Sequence, residues 1–148
     1  LLTYWDTSAL IKLYVSEKDS AYFYALALRE DDTIFTADIT ITEMLTALHR
    51  KEFVGELRKG GATKLFEHFK AQLESGRMML IPYSKEVTLH AEAIVEQAYQ
   101  TTKPIMIRAL DVIHVASALA NKSTVLITTD ERLKEVAHLM GLKVLPQN

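Results

Sequence analysis

The chain has 148 residues, a formal net charge of −2 and no cysteine, which excludes disulfides, zinc–thiolate centres and cysteine nucleophiles. So small a net charge also speaks against a general electrostatic grip on a polyanion, so any nucleic-acid chemistry must rest on a local site. The longest apolar run, residues 21–28, falls far short of the ~20 residues of a membrane span, and the N-terminus shows no leader-like basic and apolar stretch, so a cytoplasmic protein is expected.

Taken in chain order, a strand is predicted at Leu2–Trp5, followed by helical spacing over 8–15 and 20–29. A second strand at 33–36 leads into a helix over 41–51, and after the Gly60–Gly61 break another helix covers 62–74. The third strand, Met78–Ile81, is followed by helices at Lys85–Tyr99 and 110–120. A fourth strand at 124–128, a helix at 132–140 and a fifth strand at Lys143–Leu145 complete the pattern. Strands alternating with helices predict an α/β domain whose parallel sheet is covered on both faces, one domain over 1–148. Within 20–29, the stretch AYFYALAL is apolar nearly all round, as in a helix fully buried or covered by another chain. Tyr22, Phe23, Tyr24 and Leu26 are therefore candidates for an oligomer or partner surface.

Four acids stand where a strand gives way to a helix or in the first turns of one: Asp6, Glu43, Asp111 and Asp130. Each has a local explanation. Asp6 and Asp130 can be N-caps, and Asp111 lies in a first helical turn that favours acids through the macrodipole. Thr40-Ile41-Thr42-Glu43 fits a capping box. Together they ask for more. In an open parallel sheet the carboxyl ends of the strands share one edge, and Asp6 and Asp130 would be neighbours across the topological switch point. Carboxylates gathered there repel by about 4 kcal/mol per close pair at an effective dielectric near 20. No lysine or arginine is obviously placed to neutralise all four, and a divalent cation at the centre would.

A set of carboxylate oxygens selects a hard ion, Mg²⁺ or Mn²⁺, and suits phosphoryl chemistry with a metal-activated water. Ser8, Thr128 and Thr129 could orient water or a phosphate oxygen. His114 shares a helix face with Asp111 and could hold that carboxylate, although a packed core histidine is the plainer reading. Arg108, Lys12, Lys51 and Arg132 could rim the acidic edge and meet a phosphate backbone.

DTSALIKLY from Asp6, ITEMLTALHR around Glu43, ALDVIHVASAL around Asp111 and TTDERL around Asp130 resemble, in order and separation, the motifs of PIN-domain ribonucleases. They are most similar to those of the VapC toxins of bacterial and archaeal toxin–antitoxin pairs, and the resemblance covers essentially the whole chain. It implies a Rossmann-like PIN fold with about five parallel strands and Mg²⁺- or Mn²⁺-dependent endonucleolytic cleavage of RNA. By matching position it implies that Asp6, Glu43, Asp111 and Asp130 are the metal-binding and catalytic carboxylates. It further implies a homodimer, and a cognate antitoxin that lays a segment over the site.

The alternative is a non-catalytic PIN-like module that binds RNA or protein, which the slightly acidic balance mildly favours. A response-regulator phosphoacceptor is excluded, since the third strand ends Ile81-Pro82-Tyr83 and the fifth Leu145-Pro146-Gln147, without the required Asp and Lys. Asp6-Thr7-Ser8 lacks the second Asp of a haloacid-dehalogenase-type phosphatase, and no glycine fingerprint follows the first strand.

Overall fold

Short runs of aromatic, β-branched and long aliphatic residues build the five strands of the sheet, and the computed structural model describes residues 1–147. The strands are β1 (Leu2–Trp5), β2 (Thr33–Ala37), β3 (Met78–Ile81), β4 (Val125–Ile127) and β5 (Lys143–Leu145). All pair in parallel, in the order β3-β2-β1-β4-β5, with Thr3 aligned to Ile34 on one side and to Val125 on the other. The chain thus leaves β1 in one direction and later returns to its other flank, which makes the carboxyl ends of β1 and β4 the switch point.

Seven α-helices cover the two faces: α1 (Thr7–Leu10), α2 (Ser20–Ala27), α3 (Ile39–Phe53), α4 (Gly61–Glu74), α5 (Lys85–Tyr99), α6 (Ala109–Ala120) and α7 (Glu131–Leu139) among the described residues. Side chains alternate across a strand, so each strand feeds two cores. Tyr4, Leu126 and Val144 pack under α5, α6 and α7 with Val87, Val115 and Val136. Trp5, Ile34 and Ile127 pack under α1 to α4 with Leu10, Phe23, Met44 and Phe69. Fully burying each such large side chain contributes about 1.5–3 kcal/mol, which holds the switch-point edge rigid from both sides. Gly60 (φ +86°) closes the connection between α3 and α4 in a left-handed conformation that β-carbon sterics make unfavourable elsewhere.

The α/β fold with five parallel strands is the one expected, and three local readings change. The helix predicted over 8–15 is one α-turn, α1, tightened into a 3₁₀ turn at Ile11–Leu13, which buries the consecutive residues Leu10 and Ile11. β4 is shorter than the 124–128 expected. In α2, Phe23 and Leu26 are core residues, with Phe23 edge-on to Trp5 at 6.3 Å, so they do not belong to an external surface. Tyr22 and Tyr24 do remain about 40% exposed. Mean apolarity could not tell these faces apart, because both are apolar. Among the described residues no helix is long and apolar enough to cross a membrane.

Candidate active site

A cleft of about 450 Å³ opens at the switch point, and Asp6, Glu43, Asp111 and Asp130 all line it. Each is carried there by a different element: the end of β1, the second turn of α3, the first turn of α6 and the residue capping α7.

Asp6 is 3% exposed and caps α1, its Oδ1 accepting the Ala9 N–H at 3.0 Å. The Ser8 hydroxyl donates to the same carboxylate at 2.8 Å, and Thr128 Oγ1 donates to its Oδ2 at 2.6 Å. Thr128 Oγ1 in turn accepts the Asp130 N–H at 3.0 Å, and Ser8 Oγ accepts the Thr129 N–H at 2.9 Å. These bonds stitch the ends of β1 and β4 together. They also supply only neutral donors to Asp6. Burial therefore pushes its pKa above the usual aspartate range, although nearby His114 and the bonds from Thr128, Ser8 and Ala9 limit the rise.

Asp130 caps α7, with Oδ1 accepting the N–H groups of Arg132 and Leu133 at 2.9 and 3.1 Å. Asp111, 5% exposed, receives Arg108 Nε at 3.0 Å and Nη2 at 3.3 Å. Nη2 of Arg108 also reaches Asp130 Oδ2 at 3.4 Å, so one guanidinium partners two acids.

Glu43 is not part of a capping box: α3 begins at Ile39, and the Thr40 hydroxyl bonds Thr36 Oγ1 at 2.7 Å. Its Oε1 instead accepts the Thr7 hydroxyl at 2.7 Å and His114 Nε2 at 2.5 Å. Burial alone would raise the Glu43 pKa; the His114 and Thr7 bonds outweigh it and leave the group below its usual range. His114 is itself 2% exposed and bonds the Tyr4 hydroxyl through Nδ1 at 2.6 Å. It serves Glu43, not Asp111.

Arg108 stands at the rim as its position in the sequence suggested, and its charge pairs with Asp111 and Asp130, two of the four acids. Lys12 and Lys51 do not rim the cleft; Lys12 pairs with Glu17 and Asp19 at 2.5 and 2.9 Å, and Lys51 with Glu17 and Glu56. Arg132 is exposed and contributes its backbone N–H. Missed outright were Thr7, Tyr4 and the α3 stripe Thr42–Thr46–Arg50, whose i, i+4, i+8 spacing from Thr42 was the available signal.

The acids and hydroxyls of the cleft offer oxygen donors, which suit a hard divalent cation, and the His114 imidazole that also lines it has both ring nitrogens engaged, with Tyr4 and Glu43. Among the described residues no group of three or more His, Asp or Glu side chains is gathered closely enough to hold a metal ion, and Arg108 stands where it offsets two of the acids. The chemistry of the donors fits Mg²⁺ or Mn²⁺; the arrangement is one held partly by internal cations.

A parallel sheet in this order, with acids at its switch point, is a doubly wound α/β domain whose ligand-facing edge is anionic. A PIN-domain family model matches residues 3–139, and the chain belongs to that family. No curated protein matches the chain. Among solved structures it is similar to a chain of VapBC2 from Rickettsia felis bound to a DNA fragment from their promoter, with TM-score 0.71, 18% identity and 97% of both chains covered. VapBC-1 from nontypeable Haemophilus influenzae gives TM-score 0.66 at 18% identity over 97% of this chain and 96% of that one. FitAcB from Neisseria gonorrhoeae gives 0.62 at 18% identity over 96% and 95%. At these identities the likeness is one of fold.

Proposed function

We propose that the protein is a Mg²⁺- or Mn²⁺-dependent endoribonuclease and the toxin of a VapC-type toxin–antitoxin pair. The observation that carries this reading is the convergence of Asp6, Glu43, Asp111 and Asp130 on one cleft at the switch point. Membership of the PIN family and the fold shared with VapBC proteins support it.

In this reading the four carboxylates hold the cation. When bound, it supplies a water of lowered pKa and charge stabilisation for the phosphoryl oxygens. The chain's own residues do the rest. Ser8 and Thr128 hold Asp6 in orientation, and Thr7 and His114 hold Glu43. Arg50 and Arg108 on the cleft walls offer positive charge to an RNA backbone that the net-negative chain would otherwise repel. A cognate antitoxin is the expected protein partner, a homodimer the expected assembly and the cytoplasm the expected location. Tyr22 and Tyr24 on α2 are exposed aromatics available to such contacts, and Tyr24→Glu tests them by sedimentation and antitoxin titration.

Cleavage of a fluorescently quenched RNA is the direct test. Activity with Mg²⁺ or Mn²⁺ that EDTA abolishes is the expected result. RNA binding without cleavage under any divalent ion would instead favour the second reading, a non-catalytic module, which the Arg108 ion pairs with Asp111 and Asp130 recommend.

A further inference from the structure

We infer that His114 is a positioning residue that, with Thr7, anchors one oxygen of Glu43 and leaves the other as the only oxygen with which this side chain addresses the cleft. The inference rests on the metal-site reading above and deepens it. Both protein donors to Glu43 arrive at Oε1, His114 Nε2 at 2.5 Å and the Thr7 hydroxyl at 2.7 Å. No protein hydrogen bond reaches Oε2 among the described residues, and the Glu43 side chain is 26% exposed along the cleft wall. A carboxylate with one oxygen held by two donors cannot chelate through both; it presents a single donor atom.

The imidazole is itself held in register from behind. Glu43, an ionised carboxylate, can only accept, so Nε2 carries the hydrogen. In the neutral ring this leaves Nδ1 as an acceptor, and the Tyr4 hydroxyl lies 2.6 Å from it. That hydroxyl already accepts the Ala37 N–H at 3.2 Å, so its own proton is available to Nδ1. A chain of bonds therefore runs from the β2 backbone through Tyr4 on β1 and His114 on α6 to Glu43 on α3. Four elements of the two cores meet in it. The ring is edge-on to Tyr4 at 5.9 Å and only 2% exposed, so it has little freedom to swing. Outer partners of this kind set the orientation of metal-binding carboxylates, and losing one typically weakens metal affinity about 10–100-fold.

Two substitutions separate positioning from packing. His114→Gln carries an amide N–H near the place of Nε2, whereas His114→Asn carries it near Nδ1 and leaves Glu43 without that donor. Mn²⁺ binding to the full chain, read by electron paramagnetic resonance alongside melts in EDTA, should be within about threefold of wild type in His114→Gln and weakened at least about tenfold in His114→Asn. Thr7→Val, at a half-buried position, should weaken Mn²⁺ binding by a smaller factor with the fold intact, and it carries the test if His114→Asn fails to fold. Equal Mn²⁺ affinity in the two His114 variants, whether both high or both low, would overturn the assignment, as would wild-type affinity in Thr7→Val. A wild-type chain that binds no Mn²⁺ would instead remove the metal-site reading itself, and this inference with it.

Discussion

The two walls of the cleft hold their acids by different means. On the β1 wall, Asp6 is solvated by hydroxyls and a backbone amide from Ser8, Thr128 and Ala9, and no cation touches it. On the α6 wall, cations or potential cations reach every acid within range, His114 on Glu43 and Arg108 on Asp111 and Asp130. Neutral dipoles orient a charge without cancelling it, so the leftover negative charge of the site is concentrated at Asp6. The opposite pKa directions of Asp6 and Glu43 follow from that difference. A group of four carboxylates is thus not a uniform anionic pool, and the wall lacking cations is where an external ion gains most.

The severest way to break this contrast is Asp6→Asn. Divalent-dependent RNA cleavage should fall at least about a thousandfold, the loss of several kcal/mol of transition-state stabilisation. In EDTA the same variant should melt about 2–4 °C higher, because a buried charge is gone while the α1 cap survives. A lower melting temperature in EDTA would mean the hydroxyl cradle already satisfies that charge fully. Arg108→Gln attacks the other wall. It frees Asp111 and Asp130 from their internal partner, and calorimetry should show Mn²⁺ binding tightened by roughly fivefold, or about 1 kcal/mol, the scale of an exposed ion pair. Weaker binding would show that Arg108 organises those acids for the ion and does not compete with it.

Arg50→Ala sharpens the comparison at the α3 edge, where this guanidinium lines the cleft without an ion pair among the described residues. For a non-cleavable single-stranded RNA, the slope of log affinity against log salt should shrink by about 0.7, equally for different sequences. An unchanged slope would place the phosphate backbone elsewhere. The smallest effect is in pH. Asp6 titrates above its ordinary value of 3.8 when folded, so the folded chain holds the extra proton and this group's contribution to stability falls as pH rises through that interval. Glu43 titrates below its ordinary 4.5, so its contribution is present above that value and is lost as pH falls through the lowered one. Metal-free melts from acid to neutral pH should differ by about 1–3 °C: Asp6→Asn flattens the decline toward neutrality and Glu43→Gln flattens the decline toward acid. Parallel curves for the two variants would erase the distinction between the walls.

Much of the acidic edge is legible in the amino-acid order alone. Asp6 and Asp130 followed apolar strands and preceded helical spacing, and both became N-caps and cleft residues at once. The capping and site readings of such acids do not compete, since a helix start at a strand's carboxyl end is itself the ligand-facing edge. Glu43 shows the limit. Its local pattern fitted a capping box, yet Thr40 turned inward to Thr36 and the glutamate went to a histidine on another helix. Lys12 and Lys51 show it again, because nothing local reveals that Glu17 sits between them.

By itself, then, the amino-acid order determined where the five strands and most of the helices run and which acids stand at their junctions. Those properties arise from side-chain period, turn residues and caps, all of which act over a few neighbouring positions. Only the tertiary structure decided who neutralises and who orients those acids. Thr128 meets Asp6 across 122 positions, His114 meets Glu43 across 71 and Arg108 meets Asp130 across 22. Such pairs exist because a parallel sheet in the order β3-β2-β1-β4-β5 brings strand ends from both halves of the chain to one edge, and no short-range rule encodes that closure.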